Sequence, residues 1–174
     1  KKDDLIPKVK SALQYLYNEQ DTFDTLLKDL WNYFPEGTAL NCRLFTILGY
    51  DIGIVSEGHA LINLGHPLFE KDPRELFHMA MHELHHVVYT AYNSIFDPSA
   101  IRTTKQLTEM IRYCTHMEGL AVYASLAPRK AADALTHEDY KIFLNKGARN
   151  QRVTEFFSHL TRLETRLVKT VKKD

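Results

Sequence analysis

The stretch "MAMHELHHVVY", residues 79 to 89, constrains this chain more than any other. It sets His82 and His86 four apart, with Glu83 between them, inside a run that is otherwise mostly apolar. A helix advances about 100° per residue, so positions i and i+4 stand one above the other on a single face. Two imidazoles so placed can grip one borderline-soft divalent ion and leave its far side open for a third protein ligand and a water. Glu83 lies about 100° round from His82, where it can reach that water without joining the ligands. Those are the requirements of metal-assisted hydrolysis. The pattern arises by chance in roughly a few per cent of chains of this length and histidine content, so its surroundings matter. Leu76, Ala80, Leu84, Val87 and Ala91 form one apolar stripe, whereas His82 and His86 share another face with Glu75, Met79, Tyr89 and Asn93, a face suited to border a cleft. His78 and His85 flank the pair and read as surface or supporting histidines.

The chain has 174 residues, enough for one compact core, and a single domain over 1–174 is expected. Residues 1–36 read as a helical N-terminal part, with helices over 4–19 and from Asp21; Leu5, Val9, Leu13, Leu16 and Tyr17 carry the first, and Pro35 and Gly37 stop the second. Over 38–66 the texture changes. "ALNCRLFTIL" and "HALINL" are short apolar runs separated by "GYDIGIVSEG", whose glycines and Asp51 read as turn chemistry, so a small antiparallel sheet is predicted. Asp72, Pro73 and Glu75 stand in order for an N-cap, a first-turn proline and a capping-box partner, which predicts a helix over 73–92 carrying the opening motif. After the loop "NSIFDPS", Thr103 and Gln106 form a second capping-box pattern and predict a helix over 104–126 that Pro128 ends. Residues 130–171 read as helical with a break near "NKGARN". The fold class expected is α+β, mainly helical.

A catalytic zinc takes three protein ligands, so the motif calls for one more carboxylate or histidine downstream. No glycine and third histidine follow soon after His86, where the chain reads "VVYTAYNS". In the 104–126 helix, Leu107, Met110, Ile111, Cys114, Met117, Ala121 and Val122 form one apolar stripe, and Glu118 falls inside it. A carboxylate on a buried face must be paired, hydrogen-bonded or metal-bound. Gly119 beside it leaves room for close approach. The structural alternative for Glu118 is an ion pair to Arg102, Arg112 or Arg129.

"HELHH" followed about thirty residues later by "EGLAVY" resembles the gluzincin group of zinc metallopeptidases, and in particular small bacterial predicted zinc-dependent proteases whose motif precedes a helix carrying Glu-Gly-Leu-Ala. The resemblance covers about residues 59 to 126. It implies a zincin-like fold, one catalytic Zn2+ and a peptide or protein substrate. It implies His82, His86 and Glu118 as metal ligands, Glu83 as general base, and a hairpin from "RLFTIL" to "HALINL" that gives an edge strand alongside the cleft. The aspartate that follows the third ligand by four residues in thermolysin-type enzymes is replaced here by Val122, which leaves Asp97 and Asn93 as candidates to orient a ligating histidine. An oxyanion donor is expected among Tyr113, His116, Tyr140 and His159; Tyr123 points about 140° away from Glu118 on the same helix. Two other functions fit the same residues: a catalytically inactive peptidase-fold binding protein, and a zinc hydrolase of a non-peptide substrate.

Acidic and basic residues balance at 22 each, and no basic cluster interleaves with aromatics, so no nucleic-acid partner is expected. No apolar run approaches the roughly 20 residues of a membrane span. Cys42 and Cys114 lack any CxxC pairing and read as small core residues, and the lysines of "VKTVKKD" read as a solvated tail. The chain opens on Lys1, as expected after removal of a leader or after trimming, and an exported or cell-envelope setting is favoured over a cytoplasmic one.

Overall fold

The structure, a computed structural model, describes residues 2–39, 41–49, 51–94, 97–135 and 138–171. The chain divides into two compact units: Lys1–Ser94 with Met117–Ala131, and Ile95–His116 with Ala132–Asp174.

In the first unit, helices α1 (Lys2–Asn18) and α2 (Gln20–Leu30) precede strands β1 (Leu44–Ile47), β2 (Gly53–Ser56) and β3 (His59–Asn63). Short helix α3 (Pro67–Lys71), the long helix α4 (Glu75–Tyr92), the end of α5 (Thr104–Ala124) and α6 (Leu126–Ala131) complete it. The strand order is β1-β3-β2. Strand β1 runs parallel to β3, with Leu44 opposite Ala60, and β2 runs antiparallel to it, with Gly53 opposite Ile62. The sheet is therefore mixed, not antiparallel as expected, and "RLFTIL" and "HALINL" lie side by side in parallel instead of forming a hairpin. The reason lies in "GIVS". Its β-branched Ile54 and Val55 make a strand within a segment that reads as a turn, and the hairpin joins that strand to β3. Glu57 and Gly58 have φ of 52° and 75°, the left-handed pair that a two-residue type I′ turn requires.

Alternation along the strands decides which face is covered. Ala60 and Ile62 are buried, and their partners Val55 and Gly53 are the half-buried residues of β2, while Ile54 is exposed. Helix α4 packs on that sheet. Its Met81, Leu84 and Val87 join Leu30, Ala60 and Ala124 in one core cluster, against which Phe23, Leu27, Cys42 and Val55 pack. Leu76 joins Ala12, Ile62, Leu64 and Phe69 in a second. The covered face of α1 is Val9, Ala12, Tyr15 and Leu16; Leu13 and Tyr17, expected on it, are exposed. The Tyr15 and Phe23 rings meet Phe77 at centroid distances of 5.3 and 5.0 Å and seat both N-terminal helices on α4.

Asp72 accepts the Arg74 N–H at its Oδ1, 3.1 Å away, but α4 begins at Glu75, two residues later than its sequence signal. Glu75 does not turn back to close a capping box because its carboxylate is taken by His78 and Arg129. The second box forms as expected: Gln106 N–H donates to Thr103 Oγ1 (3.2 Å) and Thr103 N–H to Gln106 Oε1 (3.0 Å). Helix α5 ends at Ala124, and Pro128 sits in the first turn of α6, where a missing N–H is harmless.

The second unit holds a 3-10 turn (Pro98–Ala100), the first part of α5, and helices α7 (Glu138–Leu144) and α8 (Lys146–Val171), which pack together. The break between α7 and α8 falls at Asn145, inside "NKGARN", and the Asn145 side chain accepts the Ala148 N–H at 3.0 Å. Arg112 reaches Glu164 at 3.0 Å. Cys114 is exposed, against the expectation of a core residue, whereas Cys42 is half-buried against the first core. Ile95 and Phe96 of the "NSIFDPS" loop and Lys172, Lys173 and Asp174 of the tail lie outside the described residues. No described helix is long and apolar enough to cross a membrane.

A buried ion pair ties α6 to the start of α4. Glu75 and Arg129 are each 6% exposed and pair directly, His78 Nδ1 stands 3.3 Å from the same carboxylate, and Arg129 Nε lies 3.5 Å from Ser125 Oγ. Burial pushes the Glu75 carboxyl up, but hydrogen bonds from His78 and Arg129 outweigh it and hold the group below its usual range. Arg129→Ala strands a buried carboxylate and is expected to cost about 3–5 kcal/mol in denaturant unfolding. A folded pKa below the unfolded one means that stability is present above about pH 4.3 and is lost as pH falls through the folded value. Urea unfolding across that window should therefore show an acid loss that the Arg129→Ala variant lacks. At the hairpin, a Cβ on Gly58 would meet nothing within 4 Å, so Gly58→Ala should cost only the left-handed strain, about 1–2 kcal/mol by the same measurement.

Candidate metal centre

Helix α4 presents His82 and His86 one turn apart, and α5 brings Glu118 against them. His82 Nε2 and His86 Nε2 are 2.9 Å apart, and Glu118 Oε2 lies 3.3 Å from the first and 3.4 Å from the second. These are the described His, Cys, Asp and Glu donors that cluster closely enough to hold a metal ion. A tetrahedral zinc binding nitrogen and oxygen at about 2.0–2.1 Å spaces its ligands by about 3.3 Å, so two of the three separations match and the third is somewhat short. Two imidazoles and one carboxylate are also the donor set of a known class of catalytic zinc sites. The residues fit a zinc ion.

Glu118 arrives there for a reason other than the one its sequence position suggests. Its side chain is 55% exposed, not buried in an apolar stripe, and Cys114 of that stripe is exposed as well. The buried residues at this end of α5 are Ala121 and Ala124. What holds the Glu118 carboxyl, and keeps its pKa far below the usual carboxylate range, is hydrogen bonding from His82 and His86. None of the three arginines considered as partners is placed on it: Arg129 pairs with Glu75, Arg112 with Glu164, and Arg102 donates to the Ser99 and Ile101 carbonyls. A Cβ on Gly119 would meet nothing within 4 Å, so that glycine faces open space and makes no close packing contact.

Glu83 is 5% exposed. Burial raises its pKa, the neighbouring His82 and His86 act in the opposite sense, and the negative charges of Glu118 and Asp51 add to the rise. The backbone of β2 lies directly against its side chain, at Gly53. Sequence reasoning missed this contact; the available signal was a glycine in the interior of the β-branched run "IGIV", which marks close approach of another group.

The flanking histidines are core residues, not surface ones. His78 is 2% exposed and meets Glu75, and His85 is 3% exposed, its ring 5.7 Å from Phe34 and 6.2 Å from Tyr89. Neither residue considered for orienting a ligand does so: Asn93 Nδ2 donates to the Tyr89 carbonyl, and the Asp97 carboxylate accepts from the Ser99 N–H and hydroxyl. The buried His86 Nδ1 has no hydrogen-bond partner among the described residues. Tyr113, His116, Tyr140 and His159 all belong to the second unit. Tyr123 is exposed and stands edge-on to Tyr33 at 5.9 Å.

Neither a curated protein nor a solved structure matches this chain. A protein-family model described as "Putative zinc dependent peptidase (DUF5700)" matches residues 2–171, nearly the whole sequence and all three clustered donors. The chain belongs to that family.

Proposed function

We propose that this protein is a gluzincin-type zinc metallopeptidase of zincin-like fold in which His82, His86 and Glu118 hold one zinc ion and Glu83 is the general base. The observation that carries this reading is the convergence of three donor atoms from two helices, at separations of 2.9 to 3.4 Å, next to a buried carboxylate on the same turn of α4. Family membership supports it independently.

Zinc, when bound, supplies Lewis-acid polarisation of a carbonyl and lowers the pKa of water to near 7. The chain supplies the rest. Glu83 takes a proton from the attacking water and delivers it to the departing amine, a transfer worth about 10²–10⁴ in rate. His82, His86 and Glu118 would hold the ion between α4 and the end of α5. Strand β2 pairs with β3 on one side, and its other edge carries no strand of the described sheet, so an extended peptide can add there through main-chain hydrogen bonds. That favours a peptide or protein substrate over a small ester.

Two variants test the assignment by metal analysis together with cleavage of a mixed peptide library. Glu83→Gln should keep stoichiometric zinc and lose about 10²–10⁴ in kcat, because only proton transfer is removed. His86→Ala should lose both zinc and cleavage. A wild-type protein that binds no zinc after reconstitution, or cleavage that survives in Glu83→Gln, overturns the assignment.

A further inference from the structure

We infer that Gly53, on the edge strand β2, is a positioning residue: the absence of a side chain there fixes where the Glu83 carboxylate stands. An ideal Cβ built on Gly53 would lie 2.6 Å from Glu83 Oε1, 2.8 Å from its Cγ and 2.9 Å from its Cδ. Real Cβ atoms essentially never approach other heavy atoms so closely, and here three atoms of one side chain are involved, including the Cγ near its root.

Backbone conformation does not explain this glycine. The two glycines with positive φ are Gly37 and Gly58, and Gly53 is an ordinary strand residue paired in register with Ile62. Gly53 is the first residue of β2, and a glycine in a strand leaves no side chain to pack. Its value is therefore in the space it leaves. The sheet face toward α4 carries Gly53, Val55, Ala60 and Ile62, so the glycine stands where that face meets Glu83. With Glu83 only 5% exposed, the carboxylate has little room to move aside. Any side chain at 53 displaces it.

The catalytic consequence rests on the reading of Glu83 as general base; the steric contact does not. Gly53→Ala leaves His82, His86 and Glu118 untouched but pushes the Glu83 carboxylate off its place, and a misplacement of about 1 Å costs about 100-fold in rate. The loss should fall on kcat, with KM and zinc stoichiometry little changed.

A double-mutant cycle tests the contact without needing activity. Glu83→Ala removes the Cγ, Cδ and Oε1 that the new methyl would strike. Gly53→Ala should lower Tm by about 5 °C in the wild-type background and by much less in the Glu83→Ala background. Equal losses in both backgrounds would show that the glycine serves the strand alone and overturn the inference. So would full kcat in a Gly53→Ala protein whose parent cleaves peptides. A wild-type protein with no zinc and no cleavage would instead sink the peptidase reading, while a coupled Tm cycle would still establish the Gly53–Glu83 contact.

Discussion

Helix α4 is buried along nearly its whole length, and it carries five buried polar or ionisable side chains: Glu75, His78, Glu83, His85 and His86. That is the constraint on which the first unit depends, because a desolvated polar group without a partner costs about 1–3 kcal/mol, and more if it is charged. The helix provides partners at two separate places. Its first turns pair Glu75 with His78 and with Arg129, which the chain returns from α6. Its middle sets His82 and His86 against Glu118 from α5. Glu83, between the two histidines, is desolvated enough to have its pKa raised, and a fold gains no stability from a carboxylate held that way. In the proposed peptidase, proton transfer gives that position a purpose.

The same packing explains why Glu118 arrives where it does. Ala124 is fully buried in the cluster that contains Met81 and Leu84, and Ala121 is fully buried one turn earlier. Two small residues let the end of α5 come close to α4, and the carboxylate one turn before Ala121 then meets the histidine pair. The Glu75 pair with Arg129, a few residues beyond, closes the loop from α5 through α6 back to the start of α4. The donor cluster is thus fixed from both sides, by apolar contact on one and an ion pair on the other.

Much of this was legible in the sequence, and the parts that were not share a cause. The spacing of His82, Glu83 and His86 and the Thr103–Gln106 box are local, so they survive folding as written. The pairing partners of β1, the company of Glu75 and the depth of His78 and His85 are set by residues far along the chain. Glu118 was found through an apolar stripe that turned out half exposed; the residue came together with the histidines, but its burial was misjudged because helical periodicity cannot say how much of a stripe is covered. Gly53 read as turn chemistry for a similar reason. A glycine two residues after an aspartate signals a turn locally, and only the helix laid across the strand shows that space for Glu83 was needed.

The exposures around the site also define a direction of approach. The histidine side chains are 16% and 10% exposed, and the backbone of β2 lies against Glu83. Glu118 is more than half exposed, and beside it Gly119 faces open space. In the proposed peptidase, the exposed side of the donor cluster is therefore the one at Glu118, and a substrate carbonyl would approach from there. The carboxylate that completes the metal cluster would thus also border the approach to it.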